Sequence, residues 1–222
     1  MKENLSTFVY ETLSERYALK ENDIATDARL DKGLMHFIVR SFDVANVGHL
    51  CFLAMKGMFG LMKMETVVLA CTEKDMPLLN LDTVLAAGKK TQIVELYDTL
   101  IAADGKAMEN AFMEIKEKDR DLPDYSGGGH HYAFPLMACS YAKKTKAGET
   151  RSDASCQKLF DIFLNAMEQA PSCDSAVKAE KNRAFAQSLL DQGGPAVNQV
   201  RKLFGEELTR RLILRHMYGI SE

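Results

Sequence analysis

The stretch METVVLACTEKDMPLLNLDTVLAAGKKTQIVELYD, residues 64–98, decides the fold that this sequence predicts. β-branched and large apolar side chains dominate three of its runs, which favours strands. The links between these runs are short, a turn around Pro77 and a turn at Ala87-Gly88. Such links can join antiparallel neighbours but cannot hold the crossover helix of a parallel pair. The stretch therefore predicts an antiparallel meander of strands at residues 65–72, 78–86 and 91–97.

The flanking sequence extends this meander and then supplies helices. Two further β-prone runs precede it, at 34–42 and 49–55, and one more strand is predicted near 131–141. Apolar residues recurring every three or four positions predict the helices. These cover residues 4–19, 107–118, 154–170, 176–190 and the segment from 195 onward. The layout predicts one α+β domain over residues 1–222, with the sheet built early and covered by later helices.

Composition and charge exclude several classes of protein. The 222-residue chain has 28 Lys and Arg against 31 Asp and Glu, a net charge of −3, so no nucleic-acid partner is expected. The most apolar stretch, residues 50–64, is interrupted by Lys56 and Lys63, so neither a membrane span nor a membrane partner is expected. The amino terminus lacks the apolar core of a secretory signal. The five cysteines contain no C-x-x-C pair, which favours free thiols and a cytoplasmic protein.

No common cofactor motif is present. The sequence contains neither G-x-G-x-x-G nor a P-loop, so no bound cofactor is predicted. The pair His130-His131 could bind a metal in a mobile loop. Adjacent side chains on an extended chain point in opposite directions, however, and make a poor chelate. We therefore predict no metal site.

Asp82 is the most informative acidic residue. Strand alternation places Leu78, Asn80, Asp82 and Val84 on one face of the sheet. A carboxyl group among Leu and Val loses hydration, which raises its pKa and allows it to deliver a proton near pH 7. The alternative is an aspartate at an edge or turn whose oxygens accept backbone amide hydrogens.

Two basic clusters stand out from the acidic background. One comprises Lys143, Lys144 and Lys146, and the other comprises Arg201, Lys202, Arg210, Arg211 and Arg215. Either could bind an anionic ligand or an acidic protein. The alternative is a solvated helix or strand face.

Three blocks of the chain resemble the ferredoxin-dependent bilin reductases. Residues 64–98 resemble the family's central strands, with Met76 to Asp82 in the place of its L-P-x-F-G-x-D-like stretch. Residues 185–219, FAQSLLDQGGPAVNQVRKLFGEELTRRLILRHMYG, are similar to its carboxy-terminal pattern, with Phe204-Gly205-Glu206 and Met217-Tyr218 in the matching places. HLCFLAM at 49–55 is a weaker third block.

The resemblance implies a three-layer α/β/α sandwich with a central antiparallel sheet. It implies an open-chain tetrapyrrole between the sheet and the carboxy-terminal helices, and electrons that arrive singly from external reduced ferredoxin or flavodoxin. Asp82 falls on the family's catalytic aspartate, which implies that it is the proton donor. The histidine that assists this aspartate in part of the family is replaced here, at Val67 or Val68, and His49 is the candidate substitute. The residues expected to bind the pigment are Asn80, Arg201, Arg210 and Arg215.

Three functional hypotheses follow. The first is a cytoplasmic oxidoreductase that reduces a linear tetrapyrrole or a related conjugated pigment. The second is a non-catalytic protein of the same fold that binds a tetrapyrrole or another small ligand. The third is an interaction protein without a ligand. Pigment binding separates the third from the others, and pigment turnover separates the first from the second.

Overall fold

The secondary structure has the predicted order of a sheet followed by helices. The computed structural model describes residues 4–127 and 132–220. Its helices are α1 (Leu5–Ser14), α2 (Lys106–Lys118), α3 (Arg151–Gln169), α4 (Ser175–Gln192), α5 (Pro195–Phe204), α6 (Glu206–Arg211) and a π-helical segment (Leu212–Met217). Its strands are β1 (Leu19–Glu21), β2 (Arg29–Lys32), β3 (Met35–Val44), β4 (Gly48–Gly57), β5 (Met62–Cys71), β6 (Leu78–Ala86), β7 (Lys89–Tyr97) and β8 (Tyr141–Lys146).

The sheet is antiparallel throughout its described strands. The order is β1-β3-β4-β5-β6-β7-β8. Strand β2 pairs with the same edge of β3 as β1 does, with β2 at the beginning of β3 and β1 at its end. Strands β3 to β7 are consecutive neighbours joined by short turns, which confirms the predicted meander. Since side chains alternate across a strand, each strand contributes to both faces of the sheet.

Two separate apolar cores lie on the two faces. The α3 face, covered by α1, α2 and α3, holds a core that includes Leu50, Val67 and Leu81. The α4 face, covered by α4, α5, α6 and the π segment, holds a core that includes Cys51, Val68 and Leu78. Helices on both faces of an antiparallel sheet make three layers, so the predicted α/β/α sandwich is confirmed.

The last predicted strand is misplaced. The prediction of a strand near 131–141 is wrong: the described residues 132–140 form a loop with an isolated bridge between Leu136 and Tyr97, and β8 begins at Tyr141. The run YAKKTK looks solvated, yet Lys143 is buried. Its ammonium group donates to the Leu122 carbonyl oxygen at 3.0 Å and to Asp124 at 2.7 Å. The strand was not predicted because a buried lysine occupies a position where a hydrophobicity pattern would require an apolar residue.

Helix α3 packs on the opposite face from the helices that follow it. The sequence predicts one cleft between the sheet and all helices of residues 155–219. The structure corrects this, because Asp153 in α3 accepts hydrogen bonds from Lys90 and Gln92, which point to the α3 face of β7. Among the helices of residues 4–127 and 132–220, α4, α5, α6 and the π segment lie on the side of the sheet that carries Asp82.

A buried lysine anchors α4 at the end of the sheet. Lys178 has no solvent-exposed surface, and its ammonium group donates to the carbonyl oxygens of Met76 and Thr99, both at 2.6 Å. Asp75 lies 3.5 Å away and accepts backbone amide hydrogens from the loop after β7. These amides belong to Ile101, Ala102 and Ala103, each at 2.8 Å. We refer to this group as the Lys178 clamp.

Candidate active site

Asp82 lies on the α4 face in the middle of strand β6. Its cross-strand neighbours are Thr66 on β5 and Ile93 on β7. The Thr66 hydroxyl donates a short hydrogen bond to one oxygen of the Asp82 carboxyl group. The residue opposite Asp82 is therefore Thr66, rather than Val67 or Val68. Thr66 is a contact that the sequence analysis missed, because only the register of β5 against β6 reveals it.

Desolvation makes Asp82 a group that titrates near neutrality. Burial raises the pKa of Asp82 to about 7, the hydrogen bond from Thr66 opposes this rise, and the nearby Glu95 carboxylate adds to it. The side chain is half-buried, so it remains in reach of a ligand placed on the sheet. At pH 7 a substantial fraction of Asp82 carries a proton that it can donate.

Glu95 is a second carboxyl group on the same face, and the sequence analysis missed it. It lies on β7 opposite Asn80, one position along β6 on the same face from Asp82. Burial raises the pKa of Glu95, and the Tyr97 hydroxyl, which donates to it at 3.0 Å, opposes the rise. The sequence of β7 by itself does not distinguish Glu95 from other acidic residues. The pairing of β6 with β7 places Glu95 on the same face as Asp82.

Asn80 presents an unused hydrogen-bond acceptor beside the two acids. Asn80 lies beside Tyr218, which follows the π segment. Its side-chain oxygen is buried and accepts no hydrogen bond within the described ranges 4–127 and 132–220. A buried acceptor without a donor costs free energy, and a ligand N–H group placed there would recover it.

An aromatic cluster borders the acids on the side of α4. Tyr97 packs on Phe185 with a ring-centre distance of 4.4 Å, and Tyr132 packs on Phe185 at 5.3 Å. Tyr218 completes the cluster, with its ring centre 5.6 Å from that of Phe185. Flat aromatic faces of this kind suit a flat conjugated ligand.

The α4 face is open beyond this cluster. Helix α4 lies over the ends of β5 to β7 through the Lys178 clamp and Phe185, while the π segment lies over β3 and β4. Several side chains on this face of β5 to β8 are therefore only half-buried. We call this surface the open shelf, and it consists of Met64, Asp82, Val84, Ile93, Glu95 and Ala142.

His49 lies on the same face but far from Asp82. His49 pairs with Ala70 on β5, and the register of β5 against β6 places Ala70 beside Leu78. Leu78 precedes Asp82 by four residues, and β6 lies two strands from β4. Strand geometry then separates the two side chains by about 16 Å. His49 contacts the His216 carbonyl oxygen at 2.8 Å and the Ser41 hydroxyl at 3.3 Å through Nε2, and its burial lowers its pKa. The structure does not bring His49 and Asp82 together.

The three arginines occupy different positions on the carboxy-terminal helices. Arg201 donates to the Leu190 carbonyl oxygen at 2.7 Å and pairs with Glu206 at 2.5 Å. Arg210 is exposed and donates to the Gln187 side chain at 3.3 Å. Arg215 is exposed beside His49, where both line a pocket of about 270 Å³. They do not converge on a single point.

The cavities that border His49 are distinct from the open shelf. The pocket shared with Arg215 and a second pocket of about 460 Å³ on the other side of His49 both lie at the β1 and β3 edge of the sheet. Asp82 lines neither of them. Among residues 4–127 and 132–220, no group of three His, Cys, Asp or Glu side chains is placed to hold a metal ion. The pair His130-His131 lies outside the described residues.

Comparisons with known proteins find similarity at the level of the fold. No protein-family model matches the sequence, and no curated protein matches it. A solved enzyme structure, however, has the same fold with a TM-score of 0.74, at 15% sequence identity over 97% of this chain and 82% of the other. That enzyme is phytochromobilin synthase from tomato, crystallised in complex with biliverdin. The match supports, at the level of the fold, the resemblance drawn from residues 64–98 and 185–219.

Proposed function

We propose that this protein binds a linear tetrapyrrole on the open shelf and reduces it. The observation that carries the proposal is Asp82, a half-buried carboxyl group with a pKa of about 7 that lies on the sheet face left open by the helices. The fold is shared with an enzyme crystallised with biliverdin. As part of this proposal, the electrons come singly from a reduced ferredoxin or flavodoxin, and the protein works in the cytoplasm.

The proposed reaction adds two electrons and two protons to one double bond of the pigment. Each electron makes the pigment more basic, so a nearby acid can then protonate it. Asp82 is the proposed donor of the first proton. Glu95 is the proposed second source, because its carboxyl group lies on the adjacent strand of the same face and its pKa is also raised. His49 has no direct role in this scheme, because it lies about 16 Å from Asp82 by strand geometry.

The proposed pigment contacts follow from unsatisfied groups on the shelf. The Asn80 side-chain oxygen is available to accept a hydrogen bond from a pyrrole N–H group. The aromatic cluster of Tyr97, Tyr132, Phe185 and Tyr218 would pack against one end of the pigment. Arg201, Arg210 and Arg215 remain the proposed partners of its propionate groups, and Arg210 and Arg215 have the more exposed side chains.

The test combines pigment binding with single-turnover spectroscopy. Biliverdin is added to the full chain, reduced ferredoxin follows, and the visible spectrum is recorded for the wild type, Asp82→Asn and Glu95→Gln. We expect the wild type to bleach or shift the bound-pigment band. Asp82→Asn should bind pigment nearly as well but react roughly a hundredfold more slowly or worse, because an amide has no acidic proton. Asp98→Asn, an exposed aspartate just beyond β7, is the matched control.

The same experiment decides between an enzyme and a carrier. The resemblance implies a histidine beside this aspartate in part of the family, where this chain has Val67 or Val68, and the register places Thr66 opposite Asp82. The lack of that histidine favours a protein that binds a pigment without reducing it. A bound spectrum that stays constant after ferredoxin is added would establish this alternative. Equal rates for the wild type and Asp82→Asn would remove Asp82 as the donor, and absence of binding would end both readings.

A further inference from the structure

A protruding apolar tip stands at one end of the sheet, where the strands turn. The turn between β4 and β5 carries Met58, Phe59 and Leu61, whose side chains are 56%, 89% and 72% exposed. Met58 and Phe59 have positive φ angles of 51° and 57°, a left-handed conformation that residues other than glycine rarely adopt. The chain thus holds an aromatic and two aliphatic side chains in water at the far end of a hairpin. We call residues 58–61 the apolar tip.

Lysines surround this tip at the same end of the sheet. Lys56 and Lys63 face each other across the hairpin, immediately below the tip. The neighbouring turns add three more, since β2 ends at Lys32, β7 begins at Lys89, and Lys89 pairs with Lys146. All five are exposed. We refer to them as the lysine edge.

Asp31 and Glu149 are acids near this edge. Asp31 pairs with Arg29 at 3.0 Å and with His36 at 2.7 Å. Glu149, beyond β8, accepts from the Arg151 backbone amide at 2.6 Å. The five lysines outnumber these two acids, so the edge is positive in a chain whose net charge is −3. Positive charge around exposed apolar side chains is suited to a partner that has a negatively charged surface and an apolar interior.

We propose that this edge docks the protein on the surface of an anionic lipid bilayer. The apolar tip would insert among the acyl chains near the headgroups, and the lysine edge would bind the lipid phosphates. A convex, isolated tip suits a bilayer, which can deform around it, better than the flat and closely packed core of a protein interface. None of the helices within the described residues is long and apolar enough to cross a membrane. The predicted absence of a membrane partner rested on the lack of a span, which surface docking does not need.

The absence of tryptophan from the sequence makes insertion directly measurable. Phe59→Trp introduces a single fluorophore at the tip, and Val177→Trp, on the exposed side of α4, is the matched control. Both are mixed with phosphatidylcholine vesicles with and without about one third phosphatidylglycerol. We expect a blue shift of the emission for Phe59→Trp with the anionic vesicles only, and none for Val177→Trp.

Co-sedimentation with the same vesicles tests the two parts of the surface. Phe59→Ser with Leu61→Ser should weaken binding about tenfold or more, since the inserted apolar area is lost. Lys56→Gln with Lys63→Gln should weaken it roughly tenfold and reduce its salt dependence. Lys118→Gln with Lys158→Gln, two exposed lysines on α2 and α3, should bind as the wild type does. All of these positions are exposed, so the fold should tolerate the changes.

Two results would overturn the inference. One is the absence of both sedimentation and a Phe59→Trp blue shift with anionic vesicles at low salt. The other is a blue shift with an acidic protein, for which ferredoxin is the probe, without any shift with vesicles. That second result would make the edge a protein-docking surface.

Discussion

Burial of the Asp82 carboxyl group lowers the stability of the fold at neutral and higher pH, even when no pigment is bound. The pKa of Asp82 rises from an ordinary value near 3.8 to about 7 because the folded protein desolvates its charged form. In the unfolded chain the same group ionises freely above pH 4. Its contribution to stability is therefore complete below pH 4, falls as the pH rises towards 7, and stays constant above that.

Asp82→Asn should accordingly stabilise the protein more at pH 8 than at pH 5. The amide is nearly isosteric and is not charged at either pH, so it escapes the desolvation cost. Allowing for solvent screening of a half-buried group, we expect a relative gain on the order of 2 kcal/mol between these pH values. Urea unfolding of the wild type and the variant at both pH values measures it. A gain that is the same at both pH values, or a similar gain for Asp98→Asn, would contradict the raised pKa.

At the scale of elements, the π segment is placed by a contact that leaves no room for a side chain. Gly219 follows this segment with a φ of 68°, and a Cβ atom there would lie 2.5 Å from Cγ of His49. His49 in turn contacts the His216 carbonyl oxygen. The chain end is thus seated on β4, which fixes Tyr218 beside Asn80 at the candidate site.

Gly219→Ala should displace this chain end, while Gly88→Ala should not. Gly88, in the turn between β6 and β7, has a similar φ of 71° but open space around it. Both variants bear the left-handed backbone cost of about 1 kcal/mol, and only Gly219→Ala adds the clash with His49. We expect Gly219→Ala to lose about 2–4 kcal/mol in urea unfolding. Equal losses for the two variants would mean that the chain end yields without cost.

At the scale of the whole molecule, the two cores can be probed by the same chemistry. Cys51 is buried in the core of the α4 face, and Cys71, Cys139 and Cys156 are buried in the core of the α3 face. Cys173, between α3 and α4, is half-buried. Desolvation raises the pKa of each of these thiols, which lowers its reactivity.

Iodoacetamide should therefore label the native protein at one cysteine and the denatured protein at five. We expect one slow adduct at Cys173 at pH 8 in the native state, and none on that timescale after Cys173→Ser. Intact-mass measurement over time gives the count. Rapid native labelling of Cys51 alone would show that the α4 face opens independently of the α3 face.

The sequence predicted features that depend on local periodicity. Strands β3 to β7 lie close to the predicted ranges, because apolar alternation and short turns specify them. Asp82 lies on the face that alternation predicts. The pairing of Asp82 with Thr66, the position of Glu95 and the separation of His49 from Asp82 depend on register and strand order, which no single strand encodes. Strand β8 and the opposite placements of α3 and α4 depend on Lys143 and Asp153, whose hydrogen bonds are long-range.

The Lys178 clamp also allows the opening of the α4 layer to be measured by chemical modification. Amine-acylating reagents attack only a deprotonated, accessible amine, and although burial lowers the pKa of Lys178, the side chain has no exposed surface. Reagent can reach it only when α4 separates from the loop after β7. The acylation half-time of Lys178, set against that of the exposed Lys202, therefore reports how often the layer that borders the open shelf detaches.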